Sequence, residues 1–168
     1  MAIGTSAMCG TFKKEILAGI HYWTAHTRTT NTLSADTFKI ALFTNSASID
    51  ADTTGYTTSN EISGTNYTAG GNSLASVTNS LGDNSSSVPT AYLDFADSTW
   101  SSATITDARG ALIYNSTLSS AGTGSTTNHA ANPAVAVINF GGDKSSTAGD
   151  FTVQFPANDA NNAVIRIS

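Results

Sequence analysis

The residues whose spacing best fits a binding chemistry are the oxygen donors Asp50, Asp52, Thr54 and Glu61. Together with Gly55 they stand at the positions used by a calcium-binding loop between two helices. The flanking residues are polar and strand-like rather than helical, and a chain rich in Asp, Thr and Gly produces such matches by chance. We therefore favour a solvated loop here, and we expect neither a metal ion nor another cofactor.

Three histidines are candidates for a catalytic base or for metal ligands. On a helix, His21 and His26 would fall on different faces rather than at the i, i+4 spacing of a zinc pair. His129 lies in a segment rich in Ser, Thr, Gly and Asn, where a base is poorly positioned. Ordinary core or surface roles are therefore the favoured interpretation of all three.

Nucleophilic and carboxylate catalysis find little support in the sequence. It has no Gly-x-Ser-x-Gly motif and no helical Ser-x-x-Lys pair. Asp94 and Asp97 could form the carboxylate pair of a glycoside hydrolase, but a β-rich surface readily offers such pairs. Glu15 is predicted on a helix and Glu61 in a loop, and neither has an evident partner. We expect no catalytic residue and no enzyme activity.

Only one segment, residues 11–23, has the periodicity of an amphipathic helix, with Thr11 as its N-cap. Glu15 is expected opposite the apolar stripe, and Leu17 widens the stripe. A helix this short must pack its stripe against its own domain or another subunit. Aromatic residues there could stack on a sugar or base, but a docking face is favoured. The candidate interface residues are Phe12, Ile16, Ile20, Tyr22 and Trp23.

The remaining elements are predicted as short strands between polar turns. Residues 1–10 are predicted to be a flexible arm, and residues 11–168 a single domain. Residues 45–72 are expected to be exposed, either as a functional loop or with short edge strands around Ile62 and Tyr67, and residues 115–132 are expected to be a flexible loop. The predicted fold is mainly β, an antiparallel β-sandwich or jelly-roll-like domain with one short N-terminal helix. Its strands are expected at 37–44, 74–81, 92–95, 103–106, 111–114, 134–140, 150–155 and 163–167.

Composition narrows the possible partners. Charged residues make up 11% of the chain, against roughly 25% in ordinary domains, and the net charge is −5. The few basic residues are scattered, so direct binding of nucleic acid is not expected. Cys9 is the single cysteine, which excludes an intrachain disulfide. No apolar run reaches the roughly 20 residues of a membrane span, so we expect synthesis in a cytoplasm.

Five segments have distinctive sequences: FKKEILAGIHYW, DTFKIALFTNSASIDADTTGYTTSNEISGTNYTAGG, YLDFADSTWSSATITDARGALIYNS, AVAVINFGGDKSSTAGDFTVQFP and NAVIRIS. With these segments the chain resembles a family of small virion structural proteins of tailed bacteriophages. The resemblance extends from Phe12 to Ser168, and it is weakest at 115–132. It transfers no active-site residue.

The resemblance implies a capsid decoration (cement) protein, a β-sandwich homotrimer on the outer shell of the virion. Its partner would be the major capsid protein, contacted through residues 1–10 and the helix 11–23. Such a protein would be made in the host cytoplasm and would bind across neighbouring capsid subunits after assembly. Two other functions remain open. One is a tail or fibre-associated module that binds a host-surface glycan through loops 45–72 and 115–132, and the other is an enzyme acting on polysaccharide.

Overall fold

The computed structural model of the chain describes residues 3–28, 31–123 and 128–168. Parts of the predicted arm (1–2) and of the predicted 115–132 loop (124–127) lie outside these residues. In chain order the elements are β1 (Ala7–Met8), α1 (Gly10–Leu17), β2 (His26–Arg28), β3 (Asn31–Leu33), β4 (Phe38–Thr44), β5 (Asn72–Ser73), β6 (Thr78–Asp83), β7 (Pro89–Asp94), β8 (Ser98–Asn115), β9 (Ala134–Val153) and β10 (Ile165–Ile167).

The described strands form three sheets, all with antiparallel pairing. The large sheet has the order β1-β9-β8-β4-β5, the small sheet the order β10-β7-β6, and β2 pairs with β3. The predicted fold class, mainly β and antiparallel with one short helix, is confirmed. The jelly-roll connection stays a prediction.

Strand β4 lies at the centre of the core. The sequence predicts Phe38, Ile40 and Leu42 on one face of this strand, and the structure buries them almost completely. Ala41 and Phe43, on the other face, are fully buried as well. Since both faces of β4 are covered, its sequence is apolar at nearly every position, as expected for a central strand.

Strands β8 and β9 are longer than the sequence indicates. The predicted strands 103–106 and 111–114 are one strand, β8, and the predicted strands 134–140 and 150–155 belong to β9. The polar residues between them are accommodated by β-bulges, where Ser102, Asp107 and Ala148 adopt positive φ. Bulges replace the turns that the Gly, Ser and Asp residues predict.

The β8–β9 ribbon bends back on itself. The ring centroids of Phe140 and Phe151, both on β9, are 6.5 Å apart. A straight strand would separate the two residues by about 36 Å, at roughly 3.3 Å per residue. The two arms of one ribbon therefore face each other, which gives a sandwich-like arrangement.

The stretch 45–71 is not the exposed loop that its polar composition predicts. Ala47, Ile49, Ile62 and Tyr67 are buried in the core. The Ile62 N–H donates to the Leu42 carbonyl (2.8 Å), so the stretch is bonded to β4. Its few apolar residues are placed by turns rather than by strand alternation, which hides them from a periodicity analysis.

The N-terminal segment, predicted as a flexible arm, packs on the domain from residue 3 onward. Ile3 is buried, and Ala7 and Met8 pair with Val137 and Ala136 of β9. The Cys9 N–H continues this contact by donating to the Val135 carbonyl (2.9 Å). The segment thus forms one edge of the large sheet.

Helix α1 ends at Leu17, earlier than the predicted 11–23 helix. Gly19 adopts φ +66° and its N–H donates to the Ile16 carbonyl, while the Ile20 N–H donates to the Glu15 carbonyl. These bonds form a Schellman motif, which terminates helices at glycine. Tyr22 and Trp23 therefore lie in the following coil.

Gly71 provides a test of how closely the stretch 45–71 packs on β4. It has φ +67°, and a Cβ there would lie 1.8 Å from the Ile40 carbonyl oxygen. We expect Gly71→Ala to lower the free energy of unfolding by at least about 2 kcal/mol, through strain and steric overlap. Urea denaturation measures the loss. The matched control, Gly142→Ala, adds a Cβ with no atom within 4 Å, and an equal loss there would contradict the expectation.

Candidate functional site

Two of the predicted interface residues pack against the core of their own domain, Phe12 completely buried and Trp23 partly buried. Phe12 is fully buried, and its ring centroid lies 5.0 Å from that of His21 and 5.8 Å from that of Trp23. Trp23 stacks on Phe38 of β4, with ring centroids 4.1 Å apart. In this conformation these aromatic residues fix α1 to its own core, so Phe12 is not available to a partner.

The other predicted interface residues are partly exposed. Ile16, Ile20 and Tyr22 are half-buried, and Tyr22 packs beside His26 with ring centroids 5.2 Å apart. The fully exposed apolar residue of α1 is Leu17, at 90% exposure. The outward face of the helix thus differs from the predicted stripe.

An exposed apolar row that the sequence analysis missed crosses the small sheet. Leu81 of β6 and Ile167 of β10 are both opposite Ala91 of β7, and their exposed fractions are 74% and 49%. Ile16 of α1 and Ile167 line one small cleft, which brings the helix to the end of this row. We call this row (Leu81, Ala91 and Ile167), together with the exposed Leu17 of the nearby helix α1, the apolar corner. The sequence signal was weak because Leu81 is the single large apolar residue of TNSLGD.

The four oxygen donors of the calcium-like pattern are not brought together. Asp50 and Asp52 are exposed, and Asp50 Oδ1 accepts from the Asp52 N–H (2.9 Å) in a local turn. Thr54 is exposed, and the Glu61 carboxylate is occupied by protein donors. In the described ranges no group of three or more His, Cys, Asp or Glu residues is placed to hold a metal ion.

The Glu61 carboxylate instead fixes the stretch 45–71. Its oxygens accept hydrogen bonds from the Tyr56 hydroxyl, from the Tyr67 hydroxyl (2.7 Å) and from the Gly70 N–H (2.7 Å). The Tyr67 hydroxyl in turn accepts from the Leu42 N–H of β4 (2.9 Å). A carboxylate with three donors is a strong structural contact, and it ties the stretch to the sheet.

The surrounding phenols remain protonated. Burial, together with the hydrogen bond to Glu61 and its negative charge, raises the pKa of Tyr56 and of Tyr67. Burial and the same charge raise the pKa of Tyr114 to about 12. Tyr114 donates to the Gly70 carbonyl (2.8 Å) and stacks on Tyr56 with ring centroids 4.5 Å apart. These contacts join Tyr56, Tyr67, Tyr114 and Gly70 in one hydrogen-bonded cluster around Glu61.

His21 belongs to a buried polar network. Its Nε2 is 2.9 Å from Glu15 Oε2, and its Nδ1 is 3.1 Å from Nδ2 of Asn115. The same Asn115 amide donates to Asp36 Oδ2 (2.7 Å), so Nδ1 accepts and Nε2–H donates to Glu15. Both ring nitrogens are occupied, which leaves no free base. The expectation that Glu15 faces away from the apolar stripe is wrong, because this network draws it inward.

The remaining histidines contact backbone carbonyls. His26 Nδ1 is 3.2 Å from the Thr24 carbonyl oxygen, and His129 Nδ1 is 2.8 Å from that of Ala130. Burial, with neighbouring charges, raises the pKa of the Cys9 thiol to about 12, so the thiol is uncharged and weakly nucleophilic. None of these groups is part of a catalytic arrangement in the described residues.

Asp94 and Asp97 each bond to the backbone. Asp94 is buried and Oδ1 accepts from the Phe95 N–H (2.9 Å), while Asp97 Oδ1 accepts from the Phe155 N–H (2.8 Å). Burial, and to a smaller extent the charge of Asp97, raises the pKa of Asp94. Both carboxylates hold chain segments together at the end of the small sheet.

Comparison with known proteins gives no identification. No protein-family model, no curated protein and no solved structure matches the chain. Within the described residues, no helix has the length and apolar character needed to span a membrane.

Glu61 can be tested by Glu61→Gln, which keeps the shape but replaces one of the two accepting oxygens with an NH₂ group. We expect the free energy of unfolding to fall by about 1–2 kcal/mol, since at least one donor is left unsatisfied. Urea denaturation measures the change. Asp52→Asn, which alters an exposed carboxylate of the same pattern, should change little. Equal effects of the two variants would show that Glu61 has no special role.

Asp94 predicts a pH dependence of stability. Its raised pKa means that ionisation opposes folding, so its stabilising contribution is complete below the unfolded pKa of about 3.9 and is lost as the pH rises through the folded pKa. Asp94→Asn should therefore unfold at a higher temperature than the wild type at about pH 7.5, and the difference should shrink toward about pH 4. Thermal scans of Asp83→Asn, an exposed control, should follow the wild type. A difference that is independent of pH would contradict the assignment.

Proposed function

We propose that this protein is a structural component of a bacteriophage particle, where it decorates and stabilises the assembled capsid by binding across neighbouring capsid subunits. The resemblance of the sequence to tailed-phage virion proteins supports this proposal. The observation that carries it is the apolar corner. Large side chains that stay exposed in a row mark a surface for another polypeptide more often than for a small substrate.

Burial of the apolar corner provides the binding energy in this proposal. Leu17, Leu81 and Ile167 are 90%, 74% and 49% exposed. Burying one such side chain completely contributes about 1.5–3 kcal/mol. Desolvating charged groups is costly. Since only 11% of the residues in the chain are charged, docking would desolvate few of them.

The proposed binding surface on the capsid would exist only in the assembled lattice, and this determines how the protein acts. A footprint that spans neighbouring subunits of the major capsid protein forms only after assembly, so the protein binds the assembled lattice and stabilises it by mass action. A homotrimer on the outer capsid surface would convert several weak contacts into avidity. The protein would fold in the host cytoplasm before it joins the virion.

The glycan-binding alternative receives less support from the geometry. It requires the stretch 45–72 as a free binding loop, yet Ile49, Ile62 and Tyr67 of this stretch are buried. Tyr56 and Tyr114 stack on each other, so one face of each ring is already covered.

The proposal predicts that capsid binding requires the apolar corner. The double variant Leu17→Asp/Leu81→Asp should bind purified tailed-phage capsids at least about tenfold more weakly, because two charges would be desolvated. Cosedimentation measures binding, and circular dichroism checks the fold. Val88→Asp, at an apolar residue outside the corner that is 40% exposed, is the control. Undiminished binding of the double variant would refute the role of the corner, and no binding of the wild type would refute the proposal.

A further inference from the structure

A large cleft lies between the bent strand β9 and the small sheet. Its volume is about 930 Å³, which is within the range of ligand sites. One wall is the inner side of the bend in β9 with the adjoining residue 155, and the opposite wall includes Thr90 and Val164. The apolar side chains of the first wall are Ile138, Phe140, Phe151, Val153 and Phe155.

The cleft reaches the free edge of β9. Residues 151–156 all line it without a gap, although consecutive side chains of a strand point to opposite faces. Such continuous lining places the strand edge inside the cleft. In the described part of the chain, the outer backbone of β9 pairs only with β1, at Ala136 and Val137. Between residues 140 and 153 this edge has no backbone partner outside β8 among residues 3–28, 31–123 and 128–168.

The charge of the cleft is opposite to that of the whole protein. Lys144 and Arg166 line it, and no Asp or Glu side chain is among its described lining residues, whereas the chain has a net charge of −5. Arg166 donates to the Asn161 carbonyl and lies near the Asp159 carboxylate. Lys144 is exposed, and none of the described ion pairs includes it. Lys144 is therefore the cation best placed to meet a carboxylate.

We infer that the cleft binds an extended peptide segment of a capsid subunit, which adds as a strand to the free edge of β9. The apolar side chains of this segment, at alternating positions, would pack on the wall of Ile138, Phe140 and Phe151. One carboxylate of the segment would pair with Lys144. Backbone hydrogen bonds supply affinity in this mode of recognition, and the pockets for alternate side chains supply specificity. The capsid subunit as the source rests on the proposed function, whereas the chemistry of the segment rests on the cleft.

A synthetic peptide tests the chemistry. The probe is a fluorescein-labelled peptide of about eight residues, alternating Val and Thr with one central Glu, long enough to pair with about half of the free edge. In a titration with the full chain, followed by fluorescence anisotropy, the Glu peptide should bind at least about tenfold more tightly than the same peptide with Lys in place of Glu. The preference should weaken between about 0.05 M and about 0.5 M salt. Equal affinity of the two peptides, or no binding, would overturn the inference.

Variants locate the site. Lys144→Glu should remove the preference for the Glu peptide. Ile138→Ser, which removes an apolar side chain from the wall without adding a charge, should weaken the binding of both peptides. Lys13→Glu, an equal change of charge on the exposed side of α1, should leave the preference unchanged. Hydrogen exchange gives an independent readout, since bound peptide should slow the amides of residues 150–153. Protection elsewhere, or full binding by Lys144→Glu, would refute the cleft as the site.

Capsid binding by the same variants separates the two proposals. If the wild type and Lys144→Glu bind capsids equally, the inference about the cleft fails and the proposed function stands. If the Glu peptide binds the cleft but the wild type does not bind capsids, the proposed function fails, and with it the capsid subunit as the source. If the wild type binds capsids and Lys144→Glu binds them more weakly, the result supports both the proposed function and the inference about the cleft.

Discussion

The Glu61 carboxylate is the contact on which the irregular half of the core depends. The stretch 45–71 has almost no strand ladder, so its backbone and side chains need other partners. Glu61 accepts from Tyr56, Tyr67 and the Gly70 N–H, and Tyr67 also bonds to the Leu42 N–H of β4. This one acceptor therefore joins three turns of the stretch to the central strand. The coil can then cover β4 as a strand layer would.

The stretch 45–71 covers β4, and the surfaces that remain exposed are on β9 and on the small sheet. With the stretch 45–71 beside β4 and β8, the β8–β9 ribbon is left as the outer part of the large sheet, and it bends until Phe140 meets Phe151. Among the described residues, its outer edge is paired only at β1. The small sheet closes the bend incompletely, and this produces both the cleft beside β9 and the exposed row from Leu81 to Ile167. A protein that uses these surfaces would need no reacting group.

Local patterns predicted more of this structure than long-range ones. The alternation in 37–44 correctly placed β4, and the shortage of charge together with the many turn residues correctly indicated an antiparallel β fold. Gly19 is a typical residue to end a helix, but the apolar spacing continues beyond it to Trp23, so the predicted helix was too long. In contrast, the calcium-like spacing that ends at Glu61 could not reveal that tyrosines would occupy the carboxylate. The contact of His21 with Asn115 joins residues far apart in the chain, and no spacing rule connects them.

The buried polar network also determines which face of α1 is available to a partner. Helical periodicity groups Phe12, Ile16 and Leu17 on one broad stripe, but it does not say which part of the stripe turns inward. The hydrogen bond from His21 to Glu15 places Glu15 inside, and Leu17 is then directed to solvent at 90% exposure. Burying such a pair costs desolvation energy, and its value to the fold is the orientation that it imposes. The exposed leucine that we assign to the binding surface is thus a consequence of a polar contact in the core.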